Sequence, residues 1–316
     1  MEQLHFGDRL LAASDARQSQ VVVGLDPQIG LLPGDIVDRA TAEHGRTPSG
    51  AAAAILRFNL GVLEAVSDIA VAVKPQVAFY ERFGSEGLRA YGQTIREAHA
   101  RGLIVIGDVK RGDIGSTAEA YAHAHLCGPA AGEPWDAAEF RADAVTVNPF
   151  FGSDGVRPFL EQAGQSGCGV FVLVKTSNPS SVEVQDLDCG GKPLYEHLGA
   201  LVEEWGRPYV GGSGYSLVGA VVGATFPREL AALRRVMPHA VLLVPGFGAQ
   251  GGGVQDVLAA FDPSGRGAII SSSRAVIYAY RGEPYARKCV MKDWKVAVRE
   301  AAEDMRREIW QATHGG

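Results

Sequence analysis

Cysteine is scarce. The 316 residues hold four, at 127, 168, 189 and 289, and no two have C-x-x-C spacing. Neither a disulfide framework nor a cysteine-ligated zinc site is indicated, and four reduced thiols suit a cytoplasm. The eight histidines include no His-x-x-x-His pair, so they read as helix or surface residues rather than metal ligands. Positive charge is also in deficit. With 30 Lys and Arg against 36 Asp and Glu the net charge is −6, and no basic cluster breaks the pattern. That excludes the usual electrostatic footprint of a nucleic-acid or anionic-membrane partner, so an anionic ligand must be held by local contacts. Long apolar runs are missing as well. The longest uncharged stretch, 208–227, contains five glycines and two prolines and reads as a loop feeding a strand, not a membrane span. The first residues (Glu2, Asp8, Arg9, Asp15, Arg17) are charged throughout and read as an amphipathic helix rather than a signal peptide.

What the chain does have is repetition of one unit. Short Val/Ile/Leu-rich runs at 21–25, 69–73, 103–106, 144–147, 170–174, 218–222, 241–244 and 268–270 read as eight strands. Helical patterns at 51–65, 85–100, 118–125, 156–165, 194–205, 227–236 and 254–261 lie between them, and another at 294–311 follows. Continuous apolar strands alternating with helices signal a parallel sheet buried on both faces. Eight such units predict an α/β fold, a (β/α)8 TIM barrel forming a single domain over 1–316, with insertions near 27–50, 127–141 and 175–192. A doubly wound sheet is the alternative. The strand ends favour the barrel, because nearly every one carries a polar group: Asp26, Lys74, Asp108 with Lys110, Asn148, Thr176 with Ser177, Gly246/Gly248/Gln250, and Ser272/Arg274. In a barrel those ends converge on one mouth, where this fold builds its active sites.

The densest chemistry lies in 105–117, where Asp108, Lys110 and Asp113 fall within six residues at the end of an apolar run. In a pleated strand Asp108 and Lys110 face one side, and the glycine-punctuated turn at 112–116 is expected to bring Asp113 back to the same spot. Alternating carboxylates and amines (Asp26, Lys74, Asp108, Lys110, Asp113) keep Asp108 ionised and Lys110 protonated. Two lysines in such a set would repel a divalent cation, so neither a metal nor an organic cofactor is expected. On the other side of the mouth, 245–253 (Pro-Gly-Phe-Gly-Ala-Gln-Gly-Gly-Gly) has little side-chain bulk and precedes a helix, and Ser271–Ser272–Ser273–Arg274 follows the eighth strand. Backbone N–H groups and an arginine there predict a phosphate grip.

The segment Asp108-Val-Lys110-Arg-Gly-Asp113-Ile-Gly-Ser-Thr117 occurs with Val23-Gly-Leu-Asp26-Pro, Val73-Lys74-Pro-Gln and Pro245-Gly-Phe-Gly. Together these resemble the orotidine 5′-phosphate decarboxylase family over nearly the whole chain. The length and the Thr176-Ser-Asn-Pro-Ser-Ser181 segment resemble its longer bacterial branch. The resemblance implies decarboxylation of orotidine 5′-monophosphate to UMP without metal or cofactor. Lys74, Asp108, Lys110 and Asp113 would form the charged network. Asp113 and Thr117 would reach into the neighbouring subunit's site across a homodimer interface. It further implies that Asp26 holds a ribose hydroxyl, that Gln250 and Arg274 grip the phosphate with Gly248 in the same loop, and that Ser177 reads the pyrimidine, a role open also to Thr176 or Asn178. Segments 177–192 and 247–253 would close over the ligand.

Two rival readings stay in view. A related sugar-phosphate decarboxylase or aldolase on the same barrel would hold magnesium partly through an acidic residue at the end of strand two, where this chain has Lys74. A non-catalytic nucleotide-binding barrel would have lost part of the charged network, all four members of which are present.

Overall fold

The structure, a computed structural model, describes residues 5–126, 139–248, 253–288 and 293–315. Eight parallel strands close into a barrel in chain order: β1 (Val21–Leu25), β2 (Ala72–Pro75), β3 (Ile104–Arg111), β4 (Ala144–Val147), β5 (Gly169–Lys175), β6 (Val218–Val222), β7 (Leu242–Pro245) and β8 (Ala268–Ser272). Closure is made by β8 on β1, with Val21 opposite Ile270 and Val23 opposite Ser272. The doubly wound alternative is thereby excluded. Strand residues are buried almost without exception, as expected when a sheet is covered by side chains inside and helices outside.

The alternation rule located every strand but stopped five of them short, including β7, which runs on to Pro245, and β8, which runs on to Ser272. β2 runs through Lys74 to Pro75, β3 continues past Ile106 to Arg111, and β5 reaches Lys175. Charged residues at a barrel mouth interrupt the apolar pattern without interrupting the ladder. Helices such as Pro48–Val66, Gly84–Ala100, Gly115–His125 and Gly152–Ser166 form the outer ring. Gly115 and Ser116, expected in a turn, are the first residues of a helix. The 27–50 insertion carries the helix Gly34–His44, and much of 127–141 lies outside the described residues. Among the described residues one helix, Pro48–Val66, is long and apolar enough to cross a membrane, but 61% of its apolar window is buried in this fold.

The amphipathic N-terminal helix, Phe6–Arg17, plugs the end of the barrel opposite the mouth. Phe6 meets Phe171 edge-on at 5.9 Å, and Gly169 leaves room for its ring. Arg9 pairs with Asp143 at 2.7 Å. One expectation fails here. Cys168, just before β5, is disulfide-bonded, while Cys189 is free. Sequence spacing carried no sign of that bond, because it depends on which loops the barrel brings together.

Candidate active site

The strand extensions build the site. β3 makes a bulge between Gly107 and Arg111, so that residues 108–110 stand opposite Thr146 alone on β4. Lys110 adopts φ +46°, a left-handed conformation that a lysine takes only when its surroundings impose it. Its N–H donates to Thr146 Oγ1 at 3.0 Å, and that hydroxyl donates to Asp108 Oδ1 at 2.9 Å. The pleat predicted Asp108 and Lys110 on one face. They do meet, but through a bulge that one threonine pins.

Asp108 is the hub. Its Oδ2 accepts from Lys74 Nζ at 2.6 Å and from Gln76 Nε2 at 3.0 Å, and its Oδ1 accepts from Lys110 Nζ as well as Thr146. Burial works against its charge, but the two ammonium groups outweigh that and hold the carboxyl well below the usual range. Burial likewise opposes the Lys74 ammonium, and Asp108 and Asp26 overcome it and raise its pKa. The Lys74 and Asp108 side chains are 10% and 6% exposed, whereas that of Lys110 is 44% exposed. Lys74 is therefore the more buried partner of the carboxylate, and Lys110 the more exposed of the two ammonium groups at the cavity wall.

These groups line one wall of a cavity of about 420 Å³ at the barrel mouth. Thr176, Ser177 and Asn178 form the facing rim, and Leu173, Val221, Leu243 and Pro245 give an apolar floor. A flat, partly polar ring fits such a slot. Asp26, at the end of β1, is half-buried, and its Oδ1 has no hydrogen-bond partner, leaving an acceptor beside Lys74. A larger cavity, about 550 Å³, lies outside the barrel beside helices Gly34–His44 and Pro48–Val66 and contains none of these residues.

The side of the mouth expected to grip a phosphate is an exposed rim. Arg274 opens the short helix Arg274–Ile277 directly after β8 and points to solvent. Gly248, with φ +77°, lies against it, its missing Cβ only 3.4 Å from Ala275 Cβ, and Ser272 Oγ donates to Phe247 O at 3.1 Å to tie the two loops together. Gln250 lies outside the described residues. The helix expected at 254–261 shrinks to Val254–Val257 plus a 3-10 turn, and the Gly253 N–H at its start is taken by Asp256 Oδ2 at 2.8 Å. Of the groups described on this rim, Gly248 and Arg274 stay open to solvent.

Two expected members stand apart. The chain leaves the barrel after Arg111, and Asp113 turns its carboxylate onto the Ile114 N–H at 2.8 Å instead of folding back to Asp108. It is half-buried at the rim, and Thr117 is exposed one turn into helix Gly115–His125. The expectation that the turn returns Asp113 to its own chain's cavity is corrected: an extended 112–114 followed directly by a helix has no room for the reversal. Gln76 and Thr146 were overlooked. Gln76 sits two residues past Lys74, the same-face spacing that picked out Lys110, and Thr146 is the lone polar residue of its strand.

Comparison with known proteins agrees with this geometry. Residues 19–289 match the model of the orotidine 5′-phosphate decarboxylase / HUMPS family. The chain is 42% identical over 304 residues to an orotidine 5′-phosphate decarboxylase of Rhodopirellula baltica, covering 96% of this chain and 98% of that protein. It is 39% identical over 279 residues to the enzyme of the same name from Caldicellulosiruptor saccharolyticus, covering 88% and 91%. Among solved structures, the Leishmania donovani OMP decarboxylase superposes with TM-score 0.72 at 32% identity, over 97% of each chain. With a closed eight-stranded barrel, a Lys-Asp-Lys cluster at its mouth and relatives matched end to end, the chain belongs to the orotidine 5′-phosphate decarboxylase / HUMPS family.

Proposed function

We propose that the chain converts orotidine 5′-monophosphate to UMP and CO₂, the closing step of pyrimidine nucleotide synthesis. The observation that carries this is Asp108, a buried carboxylate kept ionised by two lysines at the wall of the barrel-mouth cavity. Loss of CO₂ breaks the C6–carboxylate bond and leaves its electron pair on C6, where no π system accepts it. A fixed negative Asp108 beside the substrate carboxylate disfavours the bound ground state and is relieved as neutral CO₂ departs. Lys110, the more exposed ammonium, stabilises the growing charge at C6 and then donates its proton there. Lys74 keeps Asp108 charged and oriented throughout. The lysine at the end of β2 also speaks against the magnesium-dependent aldolase reading, which needs an acidic group at that position.

Asp26 would accept from a ribose hydroxyl, Arg274 with Gly248 and Gln250 would hold the phosphate, and Ser177 would read the pyrimidine edge. Asp113 and Thr117 would serve the site of a second copy in a homodimer. In support, Ile114, Phe150 and Phe151, at 57%, 84% and 49% exposure, leave apolar surface beside Asp113 that water covers in a single chain. A nucleotide charged at both its carboxylate and its phosphate does not cross membranes unaided, so the reaction belongs in the cytoplasm. The test follows pyrimidine absorbance on mixing the purified protein with orotidine 5′-monophosphate after exhaustive chelation. Turnover should persist. It should vanish in Lys110→Ala, while a product analogue still binds, because a proton donor contributes mainly in the transition state. Magnesium-dependent recovery, or full turnover in Lys110→Ala, would overturn the reading.

A further inference from the structure

A third lysine near the mouth has no place in the mechanism above. Lys175 ends β5 and is completely buried. Leu173, two residues earlier, lines the cavity, so an unbroken pleat would turn Lys175 into it too. A one-residue shift in the pairing of β5 with β6, between Leu173 and Lys175, re-aims the side chain outward. There its ammonium lies 2.5 Å from Asp186 Oδ1, 3.4 Å from Ser181 Oγ, 4.5 Å from the Phe226 ring centre and 5.4 Å from that of Tyr195. Burying an ammonium is costly, and replacing a buried ion pair as a whole by apolar side chains of similar volume is often neutral for stability. What the charge adds is direction, because it fixes Asp186.

Asp186 is joined in sequence to Gln185, whose side chain grips Thr176 twice. Gln185 Oε1 accepts the Thr176 N–H at 2.9 Å, and Gln185 Nε2 donates to Thr176 Oγ1 at 2.8 Å. Thr176 Oγ1 then donates to Asn178 Oδ1 at 2.7 Å. On the other side Gly223 N donates to Lys175 O at 2.8 Å, and a Cβ on Gly223 would lie 2.9 Å from Ser177 N, Cα and Cβ. The rim residues Thr176, Ser177 and Asn178 are therefore pressed between β6 and a segment anchored by one buried cation. We propose that Lys175 and Asp186 form a latch which positions the 176–178 rim for the nucleotide's base. Lys175 is a positioning residue that never touches the ligand.

This deepens the reading that the 176–178 rim meets the pyrimidine, and the test separates the two. Lys175→Met, Asp186→Asn and Gln185→Ala are compared by steady-state kinetics with orotidine 5′-monophosphate and by amide hydrogen exchange. Each should raise KM about tenfold with kcat within about threefold, since ground-state placement of the base is lost and the Asp108–Lys110 chemistry is not. Each should also speed exchange of the Thr176 amide by about tenfold, leaving amides in the middle of β5 unchanged. Gln185→Ala keeps the buried ion pair, so it decides the matter if Lys175→Met does not fold. Folded variants with wild-type KM and wild-type Thr176 exchange would overturn the latch, as would equal acceleration of exchange throughout β5. Ser177→Ala and Thr176→Ala report on the rim by themselves. If both leave KM untouched while the latch variants speed Thr176 exchange, the rim's contact with the base is what fails and the latch stands.

Discussion

The Thr146 hydroxyl donates to Asp108 Oδ1 at 2.9 Å while accepting the Lys110 N–H at 3.0 Å, so one side chain on β4 holds both the carboxylate and the backbone of the proton donor. Thr146→Val keeps the shape and removes both bonds. It should destabilise the fold by about 1–3 kcal/mol, the cost of leaving a buried donor unpaired. It should lower kcat by about 10- to 100-fold, because Lys110 would no longer be held in its left-handed conformation. Thermal unfolding and steady-state rates measure the two. A stability loss with unchanged kcat would make Thr146 a support for the barrel only.

The pH dependence of the charged pair follows from the direction of its shifts. Asp108 is held below its ordinary 3.8, so the stability it contributes is complete above that value and is lost only as pH falls further. Lys74 is raised above its ordinary 10.5, so its contribution is complete below that value and is lost only as pH rises past it. Between the two the contribution is flat. The gap in unfolding free energy between wild type and a Lys74→Met/Asp108→Asn double variant should thus stay constant from about pH 5 to about pH 9 and narrow in stronger acid. A gap that changes by more than about 1 kcal/mol across neutrality would show that one of the pair titrates there.

The barrel was readable because Val, Ile and Leu runs alternate with helical periods, which signals a parallel sheet buried on both faces, and because a polar group at nearly every strand end favours a closed barrel over a doubly wound sheet. Asp26, Lys74, Asp108, Lys110, Thr176 and Ser177 were readable because a parallel barrel sends all its strand ends to one place. The misreadings share a cause. Pattern rules assume regular backbone, whereas Lys110 and Lys175 are each aimed by a shift in strand pairing that apolar periodicity cannot reveal. Gln76 and Thr146 were missed because a polar residue within or just past a short strand looks like any other until its partner across the ladder is known. Asp113 was misplaced because a glycine-rich stretch was taken for a reversal, and the helix starting at Gly115 forbids one.

Arg274 is exposed at the mouth and makes no described side-chain contact that would give it a part in the fold. If it grips the phosphate through two hydrogen bonds, Arg274→Ala should cost about 3 kcal/mol, on the order of a hundredfold in kcat/KM, with orotidine 5′-monophosphate. The unphosphorylated nucleoside should be nearly indifferent, and the melting temperature should not move. Equal losses with both ligands would assign Arg274 to the shape of the rim instead.

The separation of Asp113 from Asp108 within one chain makes a shared site testable. Lys110 belongs to its own chain's cavity, while Asp113 faces outward beside the exposed Ile114, Phe150 and Phe151. In a two-fold dimer in which Asp113 crosses over, each site takes Lys110 from one chain and Asp113 from the other. A Lys110→Ala chain paired with an Asp113→Ala chain then makes one site with both lesions and one with neither. Two inactive homodimers, dissociated and mixed in equal amounts, should recover about a quarter of wild-type activity, since half the re-paired dimers are mixed and each of those has one intact site. Subunit exchange is verified by mass-tagging one parent, and each parent alone must stay inactive through the same treatment. Mixed dimers with no more activity than the parents would place Asp113 in the service of its own chain. Absence of any dimer at micromolar concentration would leave the apolar surface at 150–151 to a different partner and remove the shared site altogether.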